Sequence, residues 1–453
     1  MSGQKKTFSL SARKIRKKVI RDPSIDESYI RIEHPCGLLI QISQKPFQTC
    51  CATLRVLFGE MHTQYRLKGR NTVHSIPRGT AHFLEHKMFE DENGNDLFNA
   101  FAENGGDANA YTGWEETTYY FSCVSRFREN LRILLSMVAT PSFTEESVER
   151  EKGIIREELS SYLDDPWNAA FVSVKRNLYR KLNIRFDLGG SERTIRHITP
   201  ACLKRVHRLF YRPSNMVLGI CGNPGQVNVE EVIRLVDEVF GTERTPGEYA
   251  EPVIPKEPAD ILRKASVVRG PVPAPYLYFG LKYTSRPSMS REKRLRDSLV
   301  MDIAEDCLFS GASDLQNDLL ENRLIQGTLN DSSVFSKAYG LLTVSVCTGQ
   351  PEEVLHRILD TVKKALEEGF EAEEVARNRK AAIASVIQSF DTSEGVAEMM
   401  AKYGNPRCTV FDMLRVYAGV TPEECLRVLK GTVDRNRYTS VRLLPSGEPQ
   451  PES

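Results

Sequence analysis

In the first third of the chain, apolar positions recur with a period of two. Ala52, Leu54, Val56 and Phe58 alternate with other residues in a run beginning near Thr49, which predicts a strand with one face on a core. Two further strand-like runs precede it from Tyr29 onward, separated by a turn at Cys36-Gly37 and a loop around Lys45-Pro46, so the chain opens as antiparallel strands. Cys50 and Cys51 adjoin on the third strand and must point to opposite faces. From Glu60 to Pro77 no period is clear, and His62 and His74, without partners at ligand spacing, read as solvated. Thr117 to Val124 is strongly β-prone. The period then becomes helical over Leu131 to Val138, which Pro141 stops. Thr144-x-x-Ser147 opens a longer helix reaching about Leu163, with Val148, Ile155, Leu159 and Tyr162 as its apolar face.

The 453 residues suffice for two or three cores, and 40% hydrophobic with 27% charged residues is ordinary for a globular chain. A net charge of +1 without a basic domain argues against nucleic acid as a partner. The exception is the start, where Lys5, Lys6, Arg13, Lys14, Arg16, Lys17 and Lys18 predict a loosely attached basic arm over 1–24. No apolar run reaches membrane-spanning length; Tyr339 to Cys347 falls far short. Ten cysteines without a C-x-x-C pair fit free thiols in a reducing compartment, so a cytoplasmic location is expected.

The most informative stretch is Gly79 to Phe89. On a helix, His82 and His86 project from one face, four residues apart, and can offer two nitrogens to one zinc ion. Glu85 stands beside them as a candidate base that takes a proton from an attacking water, completing the H-x-x-E-H form of the zinc-peptidase motif. A site with one open position wants a third protein ligand. Glu158, on the helix after Thr144, is the candidate; Glu157 competes but lies away from the apolar stripe, and Glu151 lies seven residues before Glu158 on nearly the same face. A solvated acidic face is the alternative for this run. Between the helices, Asn109 and Ala110 precede the Thr117 strand, where an edge strand could receive an extended peptide.

These residues resemble the pitrilysin/insulinase family of zinc peptidases, in the short-chain branch that includes mitochondrial processing peptidase. The shared motifs are Gly79-Thr80-Ala81-His82-Phe83-Leu84-Glu85-His86, Asn109-Ala110-Tyr111-Thr112, Glu149-Arg150-Glu151 through Glu158, and Tyr211-x-Pro213-x-Asn215-Met216. The resemblance implies one zinc ion per chain on His82, His86 and Glu158, with Glu85 as general base. It also implies Glu151 as a carboxylate orienting a ligand histidine, and Asn109, Ala110 and Tyr111 as a substrate-pairing segment. The implied fold is α/β (α+β), with two homologous halves, each a mainly antiparallel sheet covered by helices, in a clamshell-type assembly.

The second half carries its own trace of this duplication. Phe370-x-x-Glu373-Glu374-Val375-Ala376-Arg377 echoes Phe143-x-x-Glu146-Ser147-Val148-Glu149-Arg150. There Asp302-x-x-Glu305-Asp306 stands in place of the histidine motif and Ser385 in place of Glu158, so that copy is expected to be catalytically silent. The expected division is a zinc-binding domain over 25–243, a Pro-, Glu- and Gly-rich extended linker over 244–265, and the silent domain over 266–448, ahead of a polar tail. His34, His197, His207 and His356 are expected to be structural or solvent-facing.

Active members of the family also place an Arg and a Tyr, seven residues apart, opposite the metal. The matching segment here, Leu319 to Gly327, puts Leu320 and Gly327 at those positions, and counting from Arg323 instead reaches Asn330. A homologous subunit supplying the pair, in a heterodimer, is therefore the expected partner, with a homodimer using other donors such as Tyr339 or Arg323 as the alternative. The function expected is hydrolysis of short or unfolded peptides, such as leader-peptide removal or peptide maturation. Its rivals are a non-catalytic scaffold or peptide-binding subunit of the same family.

Overall fold

The computed structural model describes residues 15–447 except 245, 246, 285, 405 and 406. The first half runs β1 (Arg16–Asp22), β2 (Glu27–Glu33), β3 (Leu39–Gln44), β4 (Cys50–Val56), β5 (Gln64–Leu67), β6 (Val73–Ser75), α1 (Thr80–Met88), α2 (Leu97–Glu103), β7 (Gly106–Thr112) and β8 (Thr117–Cys123). It continues through α3 (Phe127–Ala139), α4 (Glu145–Asp164), α5 (Pro166–Leu178), α6 (Glu192–Ile195), α7 (Pro200–Phe210), β9 (Met216–Gly222), α8 (Val229–Phe240) and β10 (Ala250–Pro252). The second half runs β11 (Ala265–Gly270), β12 (Tyr276–Tyr283), α9 (Arg291–Phe309), α10 (Asp314–Glu321), β13 (Gln326–Phe335) and β14 (Gly340–Cys347). After these come α11 (Pro351–Glu368), α12 (Ala372–Gln388), α13 (Ser393–Tyr403), α14 (Asp412–Ala418), α15 (Pro422–Thr432) and β15 (Val433–Pro445).

The duplication is visible in the strand order. The first sheet is β1-β2-β3-β9-β4-β8-β7 and the second β11-β15-β12-β14-β13. The last five strands of the first match the second one for one, down to a single parallel pair in each, β3 with β9 and β11 with β15. The opening strands are thus not a simple antiparallel series, because β9 returns from far along the chain to lie between β3 and β4.

Each sheet has one face covered by its own helices and the other by a helix of the opposite half. Along β4, Cys50, Ala52, Leu54 and Val56 face the first core, while Cys51 faces the second. The helix over that second face is α13, whose Val396, Ala397 and Met400 are buried in the same cluster as Cys51 and Cys221. Gly219 on β9 makes this approach possible, since a Cβ there would stand 2.1 Å from the Ala397 carbonyl oxygen. Reciprocally, Ala170, Val174 and Leu178 on α5, spaced by one turn, pack with Tyr278, Leu341, Val441 and Leu443 of the second sheet. There Gly280 leaves room for Val174, whose Cγ1 would lie 2.2 Å from a Cβ.

The helices start where local chemistry sets them. The Thr144 side chain caps α4 by accepting from the Ser147 N–H, with Glu145 and Glu146 in the first turn. Asp165 caps α5 by accepting from the Trp167 N–H, and Pro166 begins that helix.

Four expectations need correction. Residues 16–22 of the expected basic arm form β1, paired antiparallel with β2 from Arg16↔Glu33 to Asp22↔Glu27; residues 1–14 lie outside the described residues. Residues 247–265 of the expected linker are tied down rather than loose. Glu257 accepts from the N–H groups of Arg180, Lys181 and Leu182, and Lys282 donates to Glu257 Oε1 at 3.0 Å and to the Pro258 and Asp260 carbonyls. His62 is buried rather than solvated: Gly59 N–H donates to its Nδ1, and burial pushes the ring down to about 4. Tyr162 is 48% exposed, so the apolar face of α4 ends at Leu159.

Candidate metal centre and substrate cleft

Helix α1 presents its chemistry because its other face is spent on packing. Phe83, Leu84 and Met88 are fully buried, which leaves His82, Glu85 and His86 half-buried on the opposite side. Its N-terminus is held by a residue from the stretch without clear period: the Glu60 carboxylate accepts from the Gly79 N–H at 2.7 Å. Burial pushes this carboxyl up to about 8, against the pull of the Gly79 and Ala81 N–H groups and Arg78. Gly79 has φ 87, and a Cβ there would lie 2.3 Å from the Gly189 carbonyl oxygen, so this turn needs glycine twice over.

Lys87 fixes α4 against α1. Fully buried, it donates to Glu90 and to the Ser147 hydroxyl, and Arg150 reaches the same Glu90 carboxylate at 2.7 Å. With the two helices locked, Glu151 and Glu158 face the histidines. His86 Nδ1–H donates to Glu151 Oε1 at 2.9 Å, which turns the Nε2 lone pair outward. Glu158 Oε2 stands 3.5 Å from His86 Nε2, and its Oε1 stands 3.6 Å from His82 Nε2.

Three potential ligand atoms of His82, His86 and Glu158 lie within 4.8 Å of one another. Tetrahedral zinc with bonds of about 2.0–2.2 Å separates neighbouring ligand atoms by roughly 3.4 Å, so the spacing and the donor types fit that ion. His82 is steadied differently from His86. Its Nδ1 is buried without a hydrogen-bond partner, and Gly189 packs against it, where a Cβ would meet Leu159 at 2.8 Å and this Nδ1 at 3.4 Å. Burial, with His86 beside it, pushes His82 down to about 3 and so keeps its ring neutral, as ligation requires. For His86, burial acts against the proton, but the Glu151 hydrogen bond and the charges of Glu151, Glu158 and Glu85 outweigh it and raise the ring. Glu85 accepts from the Thr112 hydroxyl, and burial raises its carboxyl above the usual range. Glu157 is exposed and outside the group.

The trio opens on a cleft of about 530 Å³. One wall is the end of β7, where Ala110, Tyr111 and Thr112 line the space. β7 is the edge of its sheet: among the described residues it pairs only with β8, as in Asn109↔Tyr120 and Tyr111↔Thr118, and no described strand pairs with its outer side. Asn109 is exposed and its Oδ1 accepts from the Ala110 N–H at 2.8 Å; it does not line the cleft. The far wall includes Tyr162, which the sequence pattern assigns to the core face, and Phe171, Lys175 and Asp187, which sequence reasoning left out. Their signal was weak, although Phe171 and Lys175 share a helix face at a spacing of four.

In the second half, Asp302, Glu305 and Asp306 occupy α9, the counterpart of α1. Tyr417 donates to Asp302 at 3.0 Å and Tyr283 to Glu305, and burial pushes Glu305 up to about 8 and Asp302 and Asp306 to about 6. Among the described residues, only His82, His86 and Glu158 form a ligand trio.

Comparison with known proteins agrees with this asymmetry. A family model described as insulinase (peptidase family M16) matches residues 75–190, and one described as the peptidase M16 inactive domain matches residues 197–382. The uncharacterized zinc protease YmfH of Bacillus subtilis is 30% identical over 407 residues, covering 89% of this chain and 93% of that protein. Among solved structures, an M16-like peptidase from Alicyclobacillus acidocaldarius superposes with a TM-score of 0.84 at 26% identity, over 96% of this chain and all of that one. The periplasmic protease PqqL of Escherichia coli shares the fold at a TM-score of 0.68 and 18% identity; this chain spans 92% of itself and 48% of that protein.

Proposed function

For a chain that belongs to the insulinase (M16) family of peptidases, we propose a zinc-dependent endopeptidase acting on short or unfolded peptides. The observation that carries this is the convergence of His82, His86 and Glu158 with Glu85 on the same helix face and Glu151 behind His86. When bound by the trio, zinc supplies a Lewis acid that polarises the scissile carbonyl and acidifies the attacking water. Glu85 takes the water proton as the oxygen adds to the carbonyl carbon, then delivers it to the amine as the C–N bond breaks. Its raised proton affinity suits both transfers. The Thr112 hydroxyl fixes the aim of the Glu85 carboxylate, and Glu151 holds the His86 tautomer. An extended peptide would add to the open edge of β7 at Asn109, Ala110 and Tyr111. Such backbone pairing recognises flexible chains and excludes folded ones.

The same reading extends to assembly. Leu320, where the family's Arg would stand, is 44% exposed on α10, and Gly327, where its Tyr would stand, has open space around it. We propose a homologous subunit that supplies this pair across a clamshell. The length of PqqL, about twice that of this chain, is compatible with two such units working together. Nine of the ten cysteines are buried and none is in a disulfide, which supports the cytoplasmic placement. No described helix is long and apolar enough to cross a membrane.

The direct test is Glu85→Gln. The variant should retain zinc, because all three ligands remain, and lose peptide hydrolysis, because the base is gone. Loss of zinc with this substitution would remove Glu85 from the role of base.

A further inference from the structure

Helix α5 has two working faces. Ala170, Val174 and Leu178 pack on the second sheet, while Asn168, Phe171 and Lys175 turn toward the cleft. Lys175 is only 6% exposed, yet its ammonium makes no hydrogen bond or ion pair with any described residue. It lies against two rings instead, 4.5 Å from the Phe171 centroid and 5.2 Å from that of Trp114. Cation–π contact recovers only part of what a buried ammonium loses in leaving water. The nearest anion by its influence, Asp187, is engaged in its own loop, where it accepts from the Gly189 N–H at 3.0 Å. A largely buried lysine whose ammonium meets no protein anion and opens on the wall of a cavity is arranged for an anion that arrives with the ligand.

Resting on the peptidase reading, we propose that Lys175, walled by Phe171 and Trp114, is a subsite for a carboxylate of the bound peptide. The carboxylate is either an acidic side chain near the scissile bond or the free C-terminus. The chemistry favours carboxylate over a neutral carbonyl. Lys175 is the one lysine or arginine among the residues lining the cleft, and it stands apart from the His82, His86 and Glu158 trio, on the wall with Phe171. A full negative charge gains a charge-assisted bond there, and an amide gains much less. Burial lowers the ammonium to about 8, with Asp187 opposing, so at neutral pH it still carries its proton.

The test uses the zinc-loaded full chain and two series of unstructured peptides, one with Glu or Gln stepped through successive positions and one with a free or amidated C-terminus. Both hydrolysis and binding to the Glu85→Gln protein are measured. In one series, the charged peptide should be favoured in kcat/KM by about tenfold or more, mainly through KM. Lys175→Met should bring the charged peptide down to the level of its neutral partner, Lys175→Arg should keep the preference, and Lys175→Glu should reverse it toward a peptide with Lys in that position. Circular dichroism and zinc content identify any variant that has failed to fold, in which case the Arg and Glu variants decide. A preference that survives Lys175→Met, or none in either series, overturns the subsite. Lys175-dependent binding without any hydrolysis by the native chain, either alone or with its co-encoded homologue, would overturn the peptidase reading and leave the subsite standing.

Discussion

Replacing Glu151 by Gln isolates what a residue that never touches the metal contributes to holding it. In the native chain His86 Nδ1–H donates to Glu151 Oε1 at 2.9 Å, with the carboxylate side chain 10% exposed. A charge-assisted bond contributes about 1.5–3 kcal/mol and a neutral one about 0.5–1.5 kcal/mol, so Gln gives up roughly 1–1.5 kcal/mol even if its carbonyl takes the same place. If the amide turns its NH2 toward Nδ1 instead, His86 must carry its proton on Nε2, in the space that Glu158 and His82 share, and the loss is larger. The expected result is zinc affinity weaker by about tenfold to a hundredfold, in line with losses for groups that orient metal ligands. The assay is competition for zinc against a chromophoric chelator at fixed pH, with circular dichroism to show an intact fold. Glu149→Gln is the control, since Glu149 pairs with Lys152 at the surface and is 65% exposed. Affinity within twofold of native for Glu151→Gln would refute the argument that the 2.9 Å bond sets the ligand.

Glu158→Gln should weaken zinc retention while Glu157→Gln leaves it unchanged, because only Glu158 approaches both imidazoles; the opposite pattern in the chelator assay would shift the ligand by one residue. Gly219→Ala should destabilise the chain by about 1–3 kcal/mol in urea unfolding, since the added methyl meets the α13 backbone at 2.1 Å, whereas Gly153→Ala, with nothing within 4 Å, should not. Purified alone, the chain should cleave an unstructured peptide poorly at saturating zinc and gain activity when a co-encoded homologue is added. Full activity alone, unchanged by the homologue, would overturn the heterodimer.

Much of the trio was legible because it is local. His82, Glu85 and His86 occupy little more than one helical turn, and helical spacing alone puts them together. Glu158 could be narrowed to one face of α4 by the stripe Val148, Ile155 and Leu159, but its reach to the histidines depends on the Lys87–Glu90–Arg150 clamp, a long-range contact without periodic signature. Tyr162 continues the stripe, and nothing in a period distinguishes a core position from a cleft position. Basic residues hid β1: its exposed positions carry Arg16, Lys17 and Lys18, and only Ile20 and Asp22 are buried, as suits a charged outer strand. The same limit applies to Glu60, where a buried acid holding the N-terminus of α1 sits in a segment that looks merely polar.

The exchange of helices gives the half without ligands a part in the site. Only Asp165 separates the end of α4 from the start of α5, so the helix carrying Glu158 and the helix carrying Phe171 and Lys175 meet at a corner. The position of α5 is set by the second sheet, through Ala170, Val174 and Leu178 and through the strap from Glu257 to Lys282 that closes over its C-terminal end. Its cleft face therefore follows the second half as a rigid consequence of packing. A helix seated by side chains that fill the space over Gly280 cannot slide without opening a cavity or a clash. That α9 carries Asp302, Glu305 and Asp306 in place of a histidine motif leaves this role untouched, because it depends on the packing of α5 on β11, β12 and β15. The duplicated half thus persists as the template for one wall of the cleft, while α13 returns the same service by covering the back of the sheet that carries β7.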